Sequence, residues 1–296
     1  MTAAWARVWG GWPWSAKLAI AMLIVLTVLV LLVPALATTD PLAMDEVLAS
    51  RLRPPFSRGA DGAFHLLGTD RFGRDLFARM MLAGRLSLAI GILGSGGAAA
   101  VGVMLGAAAA WTGGVADRLI TALADAMQAI PRLVLLLVCA TLWQPGVTTV
   151  FAILVATGWM GTMRLVRAEA LGLRTRPFIE AARAAGVPEG RILVRHVLPN
   201  ALGPAIVAAT LGVGNAILLE SGLSFLGLGV QPPTPSWGNM IAGGRDLIVT
   251  APWVAIAPGV ALVLTVLAAT LLGDALRDRL AGETSEGGAA AASERA

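Results

Sequence analysis

The sequence predicts an all-α polytopic membrane protein with six transmembrane helices and a cytoplasmic helical hairpin. Of its 296 residues, 57% are hydrophobic and 14% are charged, and the mean hydropathy is +0.77. This composition excludes a water-soluble enzyme, because it leaves too few charged residues for the surface. Most of its long uncharged stretches exceed the ~20 residues that a helix needs to cross a bilayer. They are 18–39, 86–116, 133–163, 196–219, 221–244 and 247–273.

Other features of the composition narrow the class. The 35 glycines are typical of helices that pack closely in lipid through small residues. The pI near 10.8 does not indicate nucleic-acid binding, because the arginines are spread among acidic residues rather than clustered. The single cysteine, Cys139, excludes an intrachain disulfide.

Residues 1–84 are predicted to form an N-terminal segment, a first transmembrane helix and an outer loop. The apolar run from Leu18 to Ala37 ends in Pro-Ala-Leu-Ala, which also resembles a signal-peptide cleavage site. We favour the transmembrane interpretation, because the run is longer than the ~7–15 residues of a signal h-region. Residues 38–84 mix acidic and basic residues, and we expect a loop that ends in a short amphipathic helix.

Residues 85–280 are predicted to form a five-helix core, and 281–296 a disordered tail rich in Gly, Ala, Ser and Glu. In the second span, over 86–110, small residues recur every four positions and so share one helical face. Pro131 is expected to kink the third span, because proline lacks an amide donor. The third to sixth spans are expected at 119–141, 147–165, 200–221 and 252–273.

The segment 174–200, between the fourth and fifth spans, is predicted to form two short helices. Pro177 and Pro188 are suited to open them, and Gly186 is suited to end the first in a left-handed conformation. Pro199 is expected to break the second helix before the fifth span begins. An alanine-rich face with charged flanks suits docking to a partner, and a merely solvated loop is the alternative.

The segment 174–200 also resembles a known motif. Glu180-Ala181-Ala182, followed by Gly186, Ile192 and Leu198-Pro199, is similar to the EAA motif of ABC importer permeases. Stretches at 65–75, 223–239 and 271–278 narrow the resemblance to the C-type permease of dipeptide, oligopeptide and nickel importers. The resemblance implies that an ATPase docks on the hairpin. The implied coupling residues are Glu180, Ala181, Ala182, Arg183, Gly186, Ile192, Leu198 and Pro199.

The resemblance also implies a set of partners and a location. It implies a homologous second permease subunit, two cytoplasmic ATPase subunits, an extracytoplasmic substrate-binding protein and the lipid of a bacterial inner membrane. ATP and Mg²⁺ are then expected on the ATPases, since Lys17 is the only lysine and no P-loop surrounds it. His65 and His196 have no cysteine or acid at metal-ligand spacing. We therefore expect no cofactor, metal or nucleic acid to bind this chain.

The distribution of lysine and arginine predicts the orientation. Most of these residues outside the spans fall on the face that carries both termini and the segment 164–198. That face is predicted to be cytoplasmic. Residues 38–84 and 228–250 are then expected outside.

Charged residues in predicted spans are candidates for the translocation path or gate, because a charge in hydrocarbon costs at least ~2.5 kcal/mol. For Asp125 and Glu220, a pore role and plain interhelix pairing are both open. Arg132, on the same predicted helix face as Asp125, departs from the family pattern, in which the residue after Pro131 is usually uncharged. It is expected to meet a peptide carboxylate or, as we favour, an acid of the partner subunit.

The Gly/Pro-rich stretch 223–245 is predicted to form an outer gate and a docking surface for the binding protein. Its prolines cannot continue a helix. Ser236 is expected to cap a short helix, and Trp237 to anchor that helix at the membrane interface. An inert connector is the alternative.

We predict a transmembrane subunit of an ATP-driven peptide importer, with nickel or another small solute as the alternative cargo. The chain itself is not expected to be an enzyme. An ion-coupled secondary transporter needs intramembrane ionisable groups and often inverted repeats, and a channel needs a filter motif. The sequence contains few intramembrane ionisable groups and no convincing sign of inverted repeats or of a filter motif.

Overall fold

The computed structural model describes residues 12–37, 40–44, 47–59 and 62–293. Within these ranges nearly all regular structure is helical, apart from an antiparallel pair of two-residue strands, β1 (Ser57–Arg58) and β2 (Phe64–His65). A π-helical turn (Leu193–Val197) joins α9 to α10, and a 3₁₀ turn (Arg245–Leu247) follows α11. The helices are α1 (Trp14–Leu36), α2 (Val47–Ser50), α3 (Leu76–Thr112), α4 (Gly114–Ala129), α5 (Arg132–Leu142), α6 (Val147–Ala156), α7 (Trp159–Leu173), α8 (Pro177–Ala184), α9 (Glu189–Ile192), α10 (Leu198–Phe225), α11 (Trp237–Gly244) and α12 (Trp253–Ser293).

The described chain contains five helical segments long and apolar enough to cross a membrane, and a bent pair of helices is long and apolar enough only when the two are taken together. The pair is α4 with α5, and the bend between them is 93°. Two of the five segments are composite, α6 with α7 and α9 with α10. The predicted all-α polytopic membrane protein is confirmed.

The molecule has two distinct ends. At the first, here called the loop end, residues 47–59, 62–75 and 226–252 lie around the start of α3, where Leu76 donates to Gly68 and Trp237 donates to Met80. At the second, here called the hairpin end, α8 and α9 cover the end of α3, where Ala110 packs against Ile179 and Ile192. The long helices α3, α10 and α12 connect the two ends.

Helix α3 packs closely through small residues, as predicted. The four members of its stripe, Ala98, Gly102, Gly106 and Ala110, are all buried. A Cβ atom on Gly102 would lie 2.7 Å from the carbonyl oxygen of Trp159, so only glycine permits α7 to approach this far.

The bend at Pro131 is larger than the predicted kink. Ile130, directly before the proline, is extended with φ −89° and ψ 129°, as the proline ring requires of its predecessor. Helix α4 therefore stops at Ala129, and α5 begins at Arg132 in a new direction. The prediction that Asp125 and Arg132 share one helix face is wrong, because they lie on different helices.

The prediction that Pro199 breaks the chain before the fifth span is also wrong. Helical structure continues from Glu189 to Phe225, and the π-helical turn lies immediately before the proline. The amide of Leu198 donates to the carbonyl of Leu193, five residues back. This wider turn accommodates a proline ring that would otherwise clash with the carbonyl four residues before it.

Two predicted boundaries differ from the structure. The predicted boundary between 84 and 85, and the short amphipathic helix before it, fall inside α3. That helix begins at Leu76 because Asp75 caps it, accepting a hydrogen bond from the Ala78 amide at 2.8 Å. Helix α12 continues past the predicted boundary at 280 as far as Ser293, in a stretch whose alanine and glutamate residues are strong helix formers. The disordered tail over 281–296 stays a prediction.

An arginine attaches α1 to α3 where α1 contains a proline. Pro34 lacks an amide, so the carbonyl of Val30 has no donor four residues on. The Nε of Arg85 donates to that carbonyl at 2.9 Å, and its Nη2 donates to the carbonyl of Leu31 at 2.7 Å. The arginine thus supplies a donor that the helix cannot.

Candidate functional site

The two short helices of the hairpin form as the sequence predicts. Pro177 is the first residue of α8, and Gly186 has φ +76°. The amide of Gly186 donates to the carbonyl of Arg183 at 2.9 Å, and that of Val187 donates to the carbonyl of Ala182 at 3.1 Å. These two bonds form a Schellman motif, which requires the left-handed conformation at the glycine.

An apolar cluster joins the hairpin to the body of the chain. Ile179, Ile192 and Val197 are fully buried together with Ala110 and Ala170, which lie in the last turns of α3 and α7. The hairpin therefore shares its core with the transmembrane helices, and it is more than a solvated loop.

Arginines reinforce this attachment. The Nη1 of Arg174 donates to the carbonyl of Ala110 at 2.6 Å, and the guanidinium groups of Arg174 and Arg183 lie 5.5 and 5.8 Å from the ring centre of Trp111. The Nε of Arg183 also donates to Glu189 at 2.8 Å. This hydrogen bond raises the pKa of the Arg183 guanidinium, and Arg183 joins α8 to α9.

The predicted coupling residues divide into an exposed and a buried group. Glu180, Ala181, Gly186 and Pro199 are exposed, Ala182, Arg183 and Leu198 are half-buried, and Ile192 is buried. The exposed residues form an outer surface, whereas Ile192 packs in the apolar cluster that joins the hairpin to α3 and α7.

The sequence prediction missed one residue of this outer surface. Phe178 is 47% exposed, and it lies three and seven positions before the exposed Ala181 and Ala185. That spacing places the three on one helical face, so the same periodicity would have identified it. Together Phe178, Ala181 and Ala185 form what we call the hairpin face.

Asp125 forms an ion pair with Arg164 of α7. The side chains of both are about half exposed, at 58% and 46%. Near the start of α4, Asp117 accepts bonds from the Nε and Nη2 of Arg167 at 2.5 and 2.6 Å. These pairs attach α4 to α7, which favours the interhelix pairing of Asp125 over a pore role.

Arg132 lies beside the break between α6 and α7. With Ser95 and Thr162 it lines a small cavity of about 50 Å³, and its Nε is buried without a hydrogen-bond partner. In the part of the chain that the structure describes, no acidic side chain pairs with it. The two candidates for its counter-charge, a peptide carboxylate and an acid of a partner subunit, both belong to other molecules.

Glu220 lies in the interior of the chain, where it is fully buried. It accepts hydrogen bonds from the hydroxyls of Ser224 at 2.7 Å, Ser221 at 3.3 Å and Ser87 at 3.4 Å. Ser87 belongs to α3, so the carboxylate joins α10 to α3. Its position favours interhelix pairing over a gate.

Trp237 does not anchor at the membrane interface, and that prediction is wrong. Its side chain is fully buried, and its Nε1 donates to the carbonyl of Met80 at 3.0 Å. A Cβ on Gly84 would lie 2.9 Å from the indole ring, so the glycine provides the space that the ring fills. The predicted cap is confirmed, since Ser236 and Asn239 form a capping box at the start of α11.

Comparison with known proteins places this architecture in a family. The model of the family described as "binding-protein-dependent transport system inner membrane component" matches residues 102–284, which include the hairpin. The chain belongs to this family. It is therefore a permease component rather than an enzyme.

Named relatives match over most of the chain. It is 40% identical over 266 residues to a dipeptide transport system permease protein of Alkalihalophilus pseudofirmus, covering 89% of this chain and 85% of that protein. It is 34% identical over 265 residues to an oligopeptide transport system permease protein of Haemophilus influenzae, covering 89% and 84%. A putative peptide transport system permease protein of Brucella suis is 38% identical over 266 residues, covering 90% and 87%.

Proposed function

We propose that this chain is the transmembrane permease subunit of an ATP-driven importer for peptides. The observation that carries the proposal is the family match across the hairpin and the spans that follow it. The relatives named for dipeptide, oligopeptide and peptide transport support peptides as the cargo. Nickel or another small solute is the second candidate, on the resemblance of the motif sequences alone.

The proposed complex contains four kinds of subunit. They are this permease, a homologous second permease, two cytoplasmic ATPases that bind ATP and Mg²⁺, and an extracytoplasmic substrate-binding protein. The family description, which names binding-protein-dependent transport, supports the binding protein. The bacterial inner membrane is the proposed location.

The hairpin is proposed to receive the ATPase on the hairpin face and Glu180. Its Phe178, Ala181 and Ala185 are exposed and apolar, and small alanine side chains allow a partner to approach closely. Since helical structure continues from α9 into α10, movement of the docked ATPase is expected to move α10 with the hairpin as one body. Access to the pore would then change from one side of the membrane to the other.

Both termini and the hairpin are proposed to be cytoplasmic. The guanidinium of Arg279 lies 4.8 Å from the ring centre of Trp12, which supports two chain ends on the hairpin side. Impermeant cysteine reagents test the orientation in intact cells, using Ser57→Cys and Thr175→Cys on a Cys139→Ser background. We expect labelling at position 57 alone, and labelling at position 175 alone would invert the orientation.

Pro131 and Arg132 are proposed to border the translocation path. The 93° bend separates α4 from α5, and Arg132 follows it directly. We favour an acid of the second permease as its partner. Exchange of the charge on both subunits, with uptake restored only in the double variant, would identify that acid.

Reconstituted complexes test the function. We expect dialanine uptake to require ATP and the binding protein and to persist without any ion gradient. Uptake that follows a gradient without ATP would instead support a secondary transporter. Nickel uptake without peptide uptake would favour the second candidate.

A further inference from the structure

A cavity at the loop end contains more positive charge than the chain neutralises. It has a volume of about 480 Å³ and lies between the outer loop before α3 and the start of α11. Three arginines and one aspartate line it, namely Arg71, Arg74, Arg79 and Asp70. Its formal charge is therefore +2.

Asp70 is only a distant counter-charge of Arg79, because both of its oxygens already accept hydrogen bonds from other donors. Oδ1 accepts from the amides of Phe72 at 2.8 Å and Arg74 at 3.1 Å. Oδ2 accepts from the Nε of Arg74 at 2.8 Å and lies 2.7 Å from its Nη2. The Nε of Arg79 is 3.9 Å from the same oxygen, which is beyond hydrogen-bond distance.

Arg79 has no hydrogen-bonded counter-charge, because its ion pair with Asp70 is long. Its side chain is only 9% exposed, and its Nη1 is buried with no hydrogen-bond acceptor. A buried guanidinium N–H without an acceptor is costly, and a carboxylate accepts from guanidinium groups in a bidentate geometry that few other groups match. An anion in this cavity, which Arg79 lines, would supply a second counter-charge beside its guanidinium.

The remaining wall indicates what kind of anion fits. Met44, Leu76, Met240 and Val254 are apolar, and Pro232 and Pro233 form one side. The amide of Asn239 already bonds within the 230–239 turn, since its Nδ2 donates to Val230 and Thr234. A volume between about 300 and 1,000 Å³ with apolar walls and few polar groups is typical of a small-molecule site.

We propose that this cavity binds the C-terminal carboxylate of a peptide, with Arg79 as the principal anion ligand and Arg74 beside it. The peptide assignment rests on the proposed function, whereas the anion site rests on the cavity and its charges. A lipid phosphate offers the same anionic chemistry, and the experiment separates the two sources. The site lies at the end of the molecule opposite the hairpin, where the proposed orientation places peptide delivery.

The test measures protection of a cysteine at the cavity wall. Met44 is 50% exposed, so Met44→Cys on a Cys139→Ser background is accessible to maleimide. The complete complex is placed in nanodiscs of phosphatidylcholine, without binding protein or ATP, and labelling of this chain is followed by electrophoresis. We expect dialanine and N-acetyl-dialanine to slow labelling, and dialanine amide, which lacks the carboxylate, to leave it unchanged.

Substitutions then assign the effect to Arg79. In Arg79→Gln we expect dialanine protection to need about a tenfold higher concentration, because a charge-assisted hydrogen bond is lost. Arg79→Lys keeps the charge without the planar fork and should retain partial protection. The matched control is Arg58→Gln, an exposed arginine of the same loop that does not line the cavity, and it should behave as the parent chain does.

Several results would overturn the proposal. Equal protection by dialanine and its amide, undiminished protection in Arg79→Gln, or no protection by any peptide would exclude a carboxylate site. Protection by phosphatidylglycerol nanodiscs without peptide would assign the cavity to lipid. ATP-driven dialanine uptake without protection would refute this site alone, and protection without uptake would refute the proposed function alone.

Discussion

The two ends of this permease bury different kinds of side chain. At the hairpin end, Ile179, Ile192 and Val197 are buried in an apolar cluster, and the hairpin face above them is exposed. At the loop end, Glu220 and Trp237 are fully buried and hydrogen-bonded to residues far away in the sequence. Apolar contacts tolerate a range of arrangements, whereas a buried polar network permits few. The comparison indicates a loop end specified by internal bonds and a hairpin end shaped to present a surface.

Truncation of Trp237 should give the largest loss of stability. It measures how much the loop end depends on this buried side chain. Trp237→Ala removes a fully buried indole and its bond to Met80, and we expect a loss of about 3–5 kcal/mol. Thermal unfolding in detergent measures it. Trp143→Ala, at a tryptophan that is 59% exposed, is the control and should change stability little; equal losses would show that the buried position is unimportant.

Removal of the Glu220 carboxylate should have the next largest effect. Glu220→Ala leaves three serine hydroxyls without their acceptor, and we expect a loss of about 1–3 kcal/mol. The same unfolding measurement applies. Glu220→Gln keeps an acceptor oxygen and should be less harmful, and if it matched alanine, the hydrogen bonds would not be the cause.

A substitution at Gly186 tests the turn of the hairpin. Gly186→Val places a branched side chain at φ +76°, and we expect a cost of about 1–2 kcal/mol with weakened ATPase docking. A Cβ there meets no other atom within 4 Å, and the same holds at Gly190, which lacks a positive φ. Gly190→Val is therefore the matched control. Normal co-purification of the ATPases with the Gly186 variant would contradict the prediction.

Truncation of Phe178 should have the smallest effect on stability and a clear effect on coupling. Its ring is 47% exposed, so Phe178→Ala should change the free energy of unfolding by less than about 0.5 kcal/mol. We expect the purified complex to lose bound ATPase nevertheless. The complex with Val249→Ala, at an 89% exposed residue of the loop end, should lose no bound ATPase. An equal loss of ATPase in both variants would show that the hairpin face is not the docking surface.

Much of the architecture follows from local rules that a sequence expresses directly. The length of the apolar stretches predicts the crossings, because a bilayer requires a minimum length of helix. Gly186 and Pro177 predict the ends of the hairpin helix, because each restricts or permits particular backbone angles within one or two residues. The family resemblance likewise depends on short stretches that are contiguous in the chain.

The errors concern features that depend on contacts between distant residues. The helix continues past Pro199 because a π-helical turn precedes the proline. Trp237 is buried because Gly84, on another helix, leaves space for its ring. No local pattern distinguishes an interfacial tryptophan from one buried by a glycine more than a hundred residues away.

The sequence by itself therefore determined that this protein crosses a membrane through helices, carries the hairpin and belongs among importer permeases, since helix length, proline and glycine act locally. Only the tertiary structure decided which charges find partners. In the folded chain Asp125 pairs with Arg164, serine hydroxyls surround Glu220, and the Nη1 of Arg79 has no acceptor. Pairing of charges depends on distances of a few ångströms between segments that the chain brings together only when it folds.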